Sequence, residues 1–262
     1  MKTTSLVTLL FAAAIPGMAW ADAKADLKAA VQKLSEAESY SWTSKTEMGG
    51  QNQRRGAGTT EGKSLKNGTS MISMQRGDNT TEAWLKDGKA VMKVDGEWKT
   101  PEELAAAARG DGDGQRGGRG RWMGTMLRNI KSPAEQASEI AGKLENVEEK
   151  DGALTATLSG DAVKELVNFG GRRQGGANVP EPRDPSGTVK FWLKDGQLAK
   201  METHVKATMS WNGEDRPMER TTTTEITNIG NSPVEVPEAV AKKLGAESKA
   251  ADAPAAEKKA AE

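Results

Sequence analysis

The chain has 262 residues, a formal net charge of +0 at pH 7 and no cysteine. The lack of cysteine excludes disulfides, thiolate metal sites and a lipid attached to an N-terminal cysteine. The balanced charge gives no overall field that would attract nucleic acid or a membrane surface, so we expect no nucleic-acid partner.

The first 21 residues have the pattern of a secretory signal peptide. Lys2 gives a positive start, residues 6–15 form an apolar run, and an Ala-Trp-Ala site at 19–21 predicts cleavage before Asp22. The apolar run is shorter than the ~20 residues that a membrane-spanning helix needs, and no other segment approaches that length. We therefore expect an exported, periplasmic protein that does not span a membrane. The alternative for this stretch is an N-terminal core helix.

The N-terminal half predicts one helix followed by a meander of strands. Residues 23–38 are amphipathic, with Leu27, Val31 and Leu34 on one face. Asp-Gly and Asn-Gly pairs then recur at nearly regular spacing, which indicates consecutive antiparallel strands. The predicted strands are residues 40–48, 57–66, 69–75, 80–86, 89–94 and 97–99.

Two capping boxes predict helix starts in the middle of the chain. Thr100 precedes Glu103, and Ser132 precedes Glu135, with a proline directly after each cap residue. The other elements predicted here are a short helix at 122–130, strands at 144–149 and 153–158, a helix at 160–169 and a Gly/Pro/Arg loop at 170–186.

Residues 187–211 give the clearest pattern of the chain. Val189 and Phe191 alternate with polar residues, and Asp195 and Gly196 then turn the chain into a second alternating strand. A period of two places an apolar row on one face and a charged row on the other, which is typical of an antiparallel sheet with one covered face. The second strand has about 14 residues against a usual mode of ~5–6, so we expect a large, curved sheet.

The C-terminal part predicts a Thr-rich strand at 220–229 and a short last helix that ends at Leu244. Residues 245–262 are rich in Ala, Lys and Glu and carry almost no large apolar side chain, which predicts a disordered tail. We therefore expect one folded domain over residues 22–244.

The residue types that usually carry catalysis are scarce. The one histidine, His204, falls on the charged face of its strand, where it cannot belong to a multi-histidine metal site. Without cysteine or a usable histidine, the common nucleophile–base pairs are missing, and no phosphate-binding or G-x-S-x-G motif occurs. We expect no enzyme activity, no metal and no cofactor.

Three predicted loops are rich in arginine and glycine. A solvated, flexible loop explains each of them, but if the loops meet at one rim, their guanidinium groups could hold a phosphate or carboxylate. Lipid headgroups or an acidic partner protein would fit such a rim. The arginines concerned are Arg54, Arg55, Arg116, Arg119, Arg172 and Arg173.

Methionine and tryptophan recur in the predicted strands. Thioethers and indoles make adaptable surfaces that suit varied apolar ligands. An ordinary core in which methionine fills gaps explains the same residues equally well, so composition alone leaves both interpretations open.

The order of elements resembles that of the LolA/LppX superfamily of bacterial periplasmic lipoprotein and lipid carriers. The likeness covers about residues 24–240 and includes the Tyr-Ser-Trp start of the first strand, the hairpin Trp-Leu-Lys-Asp-Gly-Gln-Leu-Ala-Lys-Met at 192–201 and the later Val-Glu-Val-Pro. The Gly/Arg loops and the charged tail are not part of it. The resemblance implies an α+β fold: a curved antiparallel sheet that stays open as a half-barrel, with helices covering its concave face.

The same resemblance implies a non-enzymatic carrier that binds lipid or lipoprotein acyl chains in an apolar cavity between sheet and helices. The residues we expect to line this cavity are Trp42, Met71, Trp84, Met92, Met126, Phe191, Met201 and Met209. An alternative is a periplasmic protein-interaction or envelope-sensing module on the same scaffold, in which the arginine loops bind an envelope protein and side chains fill the cavity. An enzyme is the third alternative.

Overall fold

The computed structural model describes residues 19–49, 58–76, 79–110, 127, 130–167, 182–211 and 214–245. Eleven strands in these ranges form one antiparallel sheet. The strands are β1 (Ser39–Met48), β2 (Gly58–Leu65), β3 (Ser70–Arg76), β4 (Asn79–Lys86), β5 (Lys89–Val94), β6 (Glu97–Lys99), β7 (Glu148–Lys150), β8 (Ala153–Thr157), β9 (Arg183–Lys194), β10 (Gln197–Trp211) and β11 (Glu214–Thr227).

The sheet joins two meanders through its first and last strands. Its order is β6-β5-β4-β3-β2-β1-β11-β10-β9-β8-β7, so every pair except β1 with β11 consists of consecutive strands. In that pair Trp42 lies opposite Ile226 and Met48 opposite Arg220. Because β6 and β7 stand at opposite edges, the described strands do not close into a barrel. The predicted open, curved antiparallel sheet is confirmed.

Asp-Gly turns fix the register of several hairpins. In the turn between β9 and β10, φ is 53° at Asp195 and 70° at Gly196. Two successive positive φ values define the type I′ turn, whose twist matches that of the strands it joins. The same pair joins β4 to β5, β5 to β6 and β7 to β8, with aspartate φ values of 49–53°.

Helices cover parts of both faces of the sheet. The helices of the described ranges are α1 (Ala19–Glu36), α2 (Pro101–Gly110), α3 (Pro133–Lys143), α4 (Gly160–Val167) and α5 (Glu238–Leu244). The face toward α1, α3 and α4 is called the inner face here, and the opposite one the outer face. Helix α1 packs on β7, β9, β10 and α3, while α5 lies over β4 and β5 on the outer face.

The helix starts follow the predicted capping boxes. The Ser132 hydroxyl accepts a hydrogen bond from the backbone N–H of Glu135, whose carboxylate accepts one from the backbone N–H of Ser132 in return. The backbone N–H groups of Thr100 and Glu103 are satisfied in the same way at α2. Each box satisfies two N–H groups that a helix start otherwise leaves without a partner.

Some element bounds differ from the prediction. Strand β7 covers only Glu148–Lys150: Leu144 is the C-cap residue of α3, and both it and Val147 are buried in the core. Strands β9 and β11 begin earlier than expected, at Arg183 and Glu214, since β10 is long enough to pair with both extensions.

Three predicted segments fall largely beyond the residues that the structure describes. Most of the helix predicted at 122–130, the tail beyond residue 245 and the signal sequence up to residue 18 lie outside them. Helix α1 begins at Ala19, so the predicted cleavage site before Asp22 lies within its first turn. None of the described helices is long and apolar enough to cross a membrane.

Candidate functional site

The inner face has an apolar part and a polar centre. A row of cross-strand partners runs from Leu154 through Phe191 and Met201 to Thr224, and then to Ser44. Phe191 and Met201 are buried at 0% and 2% exposure. Where β11, β1 and β2 meet, the row changes from aromatic and thioether groups to hydroxyls. This cluster, the hydroxyl patch, consists of Ser44, Thr46, Thr60, Thr203, Thr222 and Thr224.

The residues predicted to line an apolar cavity are divided between two faces. Trp42, Met92, Phe191 and Met201 belong to the core cluster of the inner face, and the partly buried Met209 packs against it. Here they are core residues in contact with one another and with the helices.

Met71 and Trp84 lie on the outer face instead. The register pairs Trp84 with Met71 on β3 and with Val91 on β5, whereas Met92 pairs with Ala83. Because neighbouring residues of a strand point to opposite faces, Trp84 cannot share a face with Met92. The second aromatic cluster is covered by α5 and the segment before it, through Val234, Val236, Val240 and Leu244. Trp84 is 3% exposed because it is packed in this outer cluster, and it does not line the inner cavity.

Met126 and all six arginines predicted at the rim lie outside the described residues. The arginines are Arg54, Arg55, Arg116, Arg119, Arg172 and Arg173.

A cavity of about 150 Å³ lies between the hydroxyl patch and the helices. The patch forms its floor and Trp42 one wall, while Pro133 and Gln136 of α3 and Leu166 of α4 form its roof. Two further residues at its border are Ile130 and Lys131. The Lys131 ammonium pairs with Glu139, which does not line the cavity. No aspartate or glutamate is among the described residues that line this space.

Hydrogen bonds hold part of the patch in place. The Thr224 hydroxyl donates to that of Ser44 over 3.1 Å, and the Thr46 and Thr222 hydroxyl oxygens are 3.5 Å apart. The Trp42 indole N–H donates to the Ser64 hydroxyl at 3.1 Å. These bonds leave hydroxyl groups at the cavity surface that can still rotate to donate or accept.

Arg220 brings a positive charge to the cavity. It lies on β11 two residues before Thr222, so both side chains point to the inner face. Its guanidinium donates to the backbone carbonyl of Leu166 near the end of α4. Burial lowers the pKa of Arg220 below its ordinary value, because removal from water disfavours the charged form. Among the described residues no carboxylate forms an ion pair with it.

The sequence pattern predicts a Thr-rich strand at β11 but assigns Arg220 no role. The signal was present: Arg220, Thr222, Thr224 and Ile226 share the period of two that defines one face. Since Ile226 is apolar, that face must be the inner one, and an arginine in its row has to be accommodated under the helices.

A larger cavity, of about 420 Å³, lies at one end of the sheet between α1, the β2–β3 turn and the start of α3. Its lining is rich in serine and carries both Lys66 and Lys131 and the carboxylates Glu135 and Glu139. Lys66 pairs with Glu38 and Lys131 with Glu139, so neither ammonium is without a counter-ion. This mixture of paired charges gives the larger cavity no single preference for anions or cations.

His204 lies on the outer face, as the strand pattern predicts. Its Nε2 is 2.8 Å from Glu219 Oε1, and the Lys206 ammonium approaches the same oxygen at 3.1 Å. These contacts lower the pKa of Glu219, the hydrogen bond from His204 contributing most. No group of histidine, aspartate and glutamate suited to a metal ion occurs in the part of the chain that the structure describes.

No protein-family model matches the chain, and no curated protein matches it either. Solved structures do resemble it. The lipoprotein LppX of Mycobacterium tuberculosis is 10% identical with a TM-score of 0.41, and the match covers 82% of this chain and 98% of LppX. LprF of Mycobacterium bovis is 13% identical with a TM-score of 0.42, over 84% of this chain and 98% of LprF.

A LolA superfamily protein of Nitrosomonas europaea is 8% identical with a TM-score of 0.33, over 81% of this chain and 94% of that protein. At such low identity and TM-score the likeness carries no argument about a ligand, and the fold class rests on the sheet topology itself.

Proposed function

We propose that this chain is an exported, non-enzymatic carrier that holds the acyl chain of a lipid or of an acylated lipoprotein between the inner face of its sheet and helices α3 and α4. The observation that carries the proposal is the central cavity, which lies under these two helices and beside Trp42. Thr224 on its floor is the cross-strand partner of Met201, so the apolar part of the face begins at the cavity border.

The cavity must widen to admit an acyl chain. Its volume of about 150 Å³ is below the ~300–1,000 Å³ that ligand pockets usually have. Helix α3 packs mainly against α1, and the Ala134 N–H donates to the Tyr40 hydroxyl of β1, so a shift of α3 would open the cavity while the sheet keeps its own hydrogen bonds. Burial of the guest would offset the opening by about 0.8 kcal/mol for each CH₂ group.

The proposed binding surface is smaller than the set predicted from the sequence. It comprises Trp42, Met92, Phe191, Met201 and Met209, together with Met126 outside the described residues, and omits the two residues of the outer face. Removal of residues 1–21 on export, a folded domain over residues 22–244 and a disordered tail over 245–262 belong to the same proposal. So does a rim formed by Arg54, Arg55, Arg116, Arg119, Arg172 and Arg173.

A fluorescence experiment tests the proposal through two tryptophans on opposite faces. A fatty acid that carries bromine on its chain quenches indoles in contact with it, so it should quench Trp42 and not Trp84. We expect Trp42→Phe to remove most of the quenching and Trp84→Phe to leave it unchanged. Quenching that survives Trp42→Phe, or that disappears with Trp84→Phe, would contradict the proposal.

Purification gives a second and independent test. Protein taken directly from the periplasm should carry a stoichiometric acyl ligand in native mass spectrometry, and extraction with organic solvent should release it. Protein that is free of lipid and also fails to bind a labelled fatty acid would rule out a carrier.

A further inference from the structure

The cavity under α3 and α4 differs in charge from four further cavities of the described residues. Each of these four is lined by at least one glutamate: Glu135, Glu139, Glu145 or Glu61. Among its described lining residues the central cavity has no carboxylate, and its guanidinium, that of Arg220, forms no ion pair with a described carboxylate, whereas its second cation, Lys131, pairs with Glu139. Its polar lining therefore favours an anion over a cation.

Arg220 has the chemistry to bind an oxyanion. A guanidinium has five N–H donors in a planar fork, and the contact with the Leu166 carbonyl uses the Nη2 end of it. A carboxylate or phosphate can accept two parallel N–H bonds from such a group. Because the guanidinium is partly buried, an anion that enters would replace the hydration that burial has removed.

The hydroxyl patch supplies further donors next to the guanidinium. Thr222 stands two residues along β11 on the same face, and Thr46 and Thr203 lie opposite it on the two neighbouring strands. Hydroxyl hydrogens rotate toward an acceptor at little cost, so they can follow an oxyanion at the position that Arg220 sets. The indole of Trp42 closes the apolar side of the space.

The size of the space agrees with a head group and not with a whole chain. About 150 Å³ equals the liquid volume of roughly five water molecules. A carboxylate or phosphate with the first methylene groups of its chain fits into that volume, and the rest of the chain would continue along the inner face.

We propose that Arg220 and the hydroxyl patch bind the anionic head, a carboxylate or a phosphate, of an amphiphilic guest and so fix its orientation in the cavity. The inference rests on the carrier function proposed above for the acyl part of the guest. The head-group site itself does not depend on an acyl chain, which allows the two proposals to be tested separately.

The experiment compares palmitate with cetyl alcohol, which has the same chain and an uncharged head. Wild type should bind palmitate about tenfold more tightly or better, since hydrogen bonds to charged groups are the stronger ones. Arg220→Met should abolish this preference by weakening palmitate binding, and it should leave cetyl alcohol binding unchanged. Arg216→Met is the matched control, because Arg216 is an exposed arginine of the same strand.

Thr222→Val tests the hydroxyl patch without touching the charge. We expect a several-fold loss of palmitate affinity and no loss of cetyl alcohol affinity, while Thr221→Val, on the outer face of β11, should change neither. An equal loss of both ligands in Arg220→Met would overturn the proposal, because it would assign Arg220 to holding α4 in place.

Inorganic phosphate tests the head-group site without an acyl chain. It should shift the NMR signals of the Arg220 side-chain N–H and of the Thr222 backbone N–H in wild type, and both shifts should saturate. In Arg220→Met the Thr222 signal should stay in place. If the protein binds phosphate at Arg220 but binds neither palmitate nor cetyl alcohol, the head-group site is supported and the carrier function is refuted. If the protein binds cetyl alcohol tightly, shows no preference for palmitate and gives no NMR shift with phosphate, the carrier function is supported and the head-group site is refuted.

Discussion

The indole of Trp42 lies against Gly62, so close that a Cβ atom at position 62 would stand 2.4 Å from the ring. The two residues are cross-strand partners on β1 and β2. The absence of a side chain at 62 lets the indole cover the backbone and donate its N–H to Ser64. One glycine thus sets the position of the aromatic wall of the cavity.

Gly62→Ala should destabilise the protein by about 1–3 kcal/mol, because the added methyl group overpacks the site and forces the indole away. Urea denaturation measures the loss, and a change of Trp42 fluorescence should accompany it. Gly142→Ala is the control: nothing lies within 4 Å of a Cβ there, and the site is an exposed helix position. The free energy of unfolding of Gly142→Ala should rise by roughly 0.5–1 kcal/mol, because alanine is favoured over glycine within a helix. Equal stability of the two variants would show that the indole has room to move.

The roof of the cavity depends on the capping box of α3. Ser132→Ala removes the oxygen that accepts from the Glu135 N–H, which should cost about 0.5–2 kcal/mol. Hydrogen exchange should become faster in the first turn of α3, next to Pro133 of the cavity roof. Ser138→Ala, at an exposed position within the same helix, should leave both quantities almost unchanged. Similar effects of the two substitutions would mean that the cap does not hold the roof.

The sequence predicts the elements well because each depends on neighbours in the chain. Period-two alternation, Asp-Gly pairs and capping boxes are local signals, and they give the strands of both meanders and the starts of α2 and α3. The pairing of β1 with β11 is not a local signal, since it joins Trp42 to Ile226 across the length of the chain. Only the resemblance to a known order of elements pointed toward a single open sheet.

Composition could not predict on which face of the sheet each methionine and tryptophan lies. Alternation along β4 separates Ala83 from Trp84, but which of them faces inward depends on which helix covers which side. Ala83 faces inward and the large indole outward, because α5 returns from the C-terminus to cover it. An apolar outer face was not expected from a pattern that shows a charged outer row in the β9–β10 hairpin.

The outer cluster should contribute to stability without affecting the proposed guest. Leu244, 2% exposed, packs against the Trp84 cluster, so Leu244→Ala should cost about 2–5 kcal/mol. Quenching of Trp42 by a brominated fatty acid should persist in this variant at temperatures where it is folded. Lys242→Ala, at an exposed position of α5, is the control and should change the denaturation midpoint little. A loss of quenching in folded Leu244→Ala protein would show that packing on the outer face affects the proposed binding site on the inner face.

Glu219 and Glu103 are two of the exposed carboxylates with lowered pKa values, and different partners lower them. The pKa of Glu219 is lowered first by the hydrogen bond from His204 and then by that from Lys206. The pKa of Glu103 on α2 is lowered first by the hydrogen bond from Lys243 of α5 and then by the Thr100 backbone N–H. A carboxylate whose pKa is lowered by folding stabilises the protein above its unfolded pKa of about 4.3 and loses that contribution as the pH falls through the folded value.

His204→Gln should therefore raise the pKa of Glu219 toward its ordinary value and leave that of Glu103 where it is. Lys243→Met should do the reverse. NMR titration of the glutamate carboxyl carbons follows both groups in one sample. Because both carboxylates are solvent-exposed, the accompanying loss of stability should be small. It should be present above the unfolded pKa of about 4.3 and should vanish as the pH falls through the folded pKa, so each variant should lose less stability on acidification than wild type. If Glu219 keeps its low pKa in His204→Gln, Lys206 is its principal partner and the 2.8 Å contact with His204 is not maintained in solution.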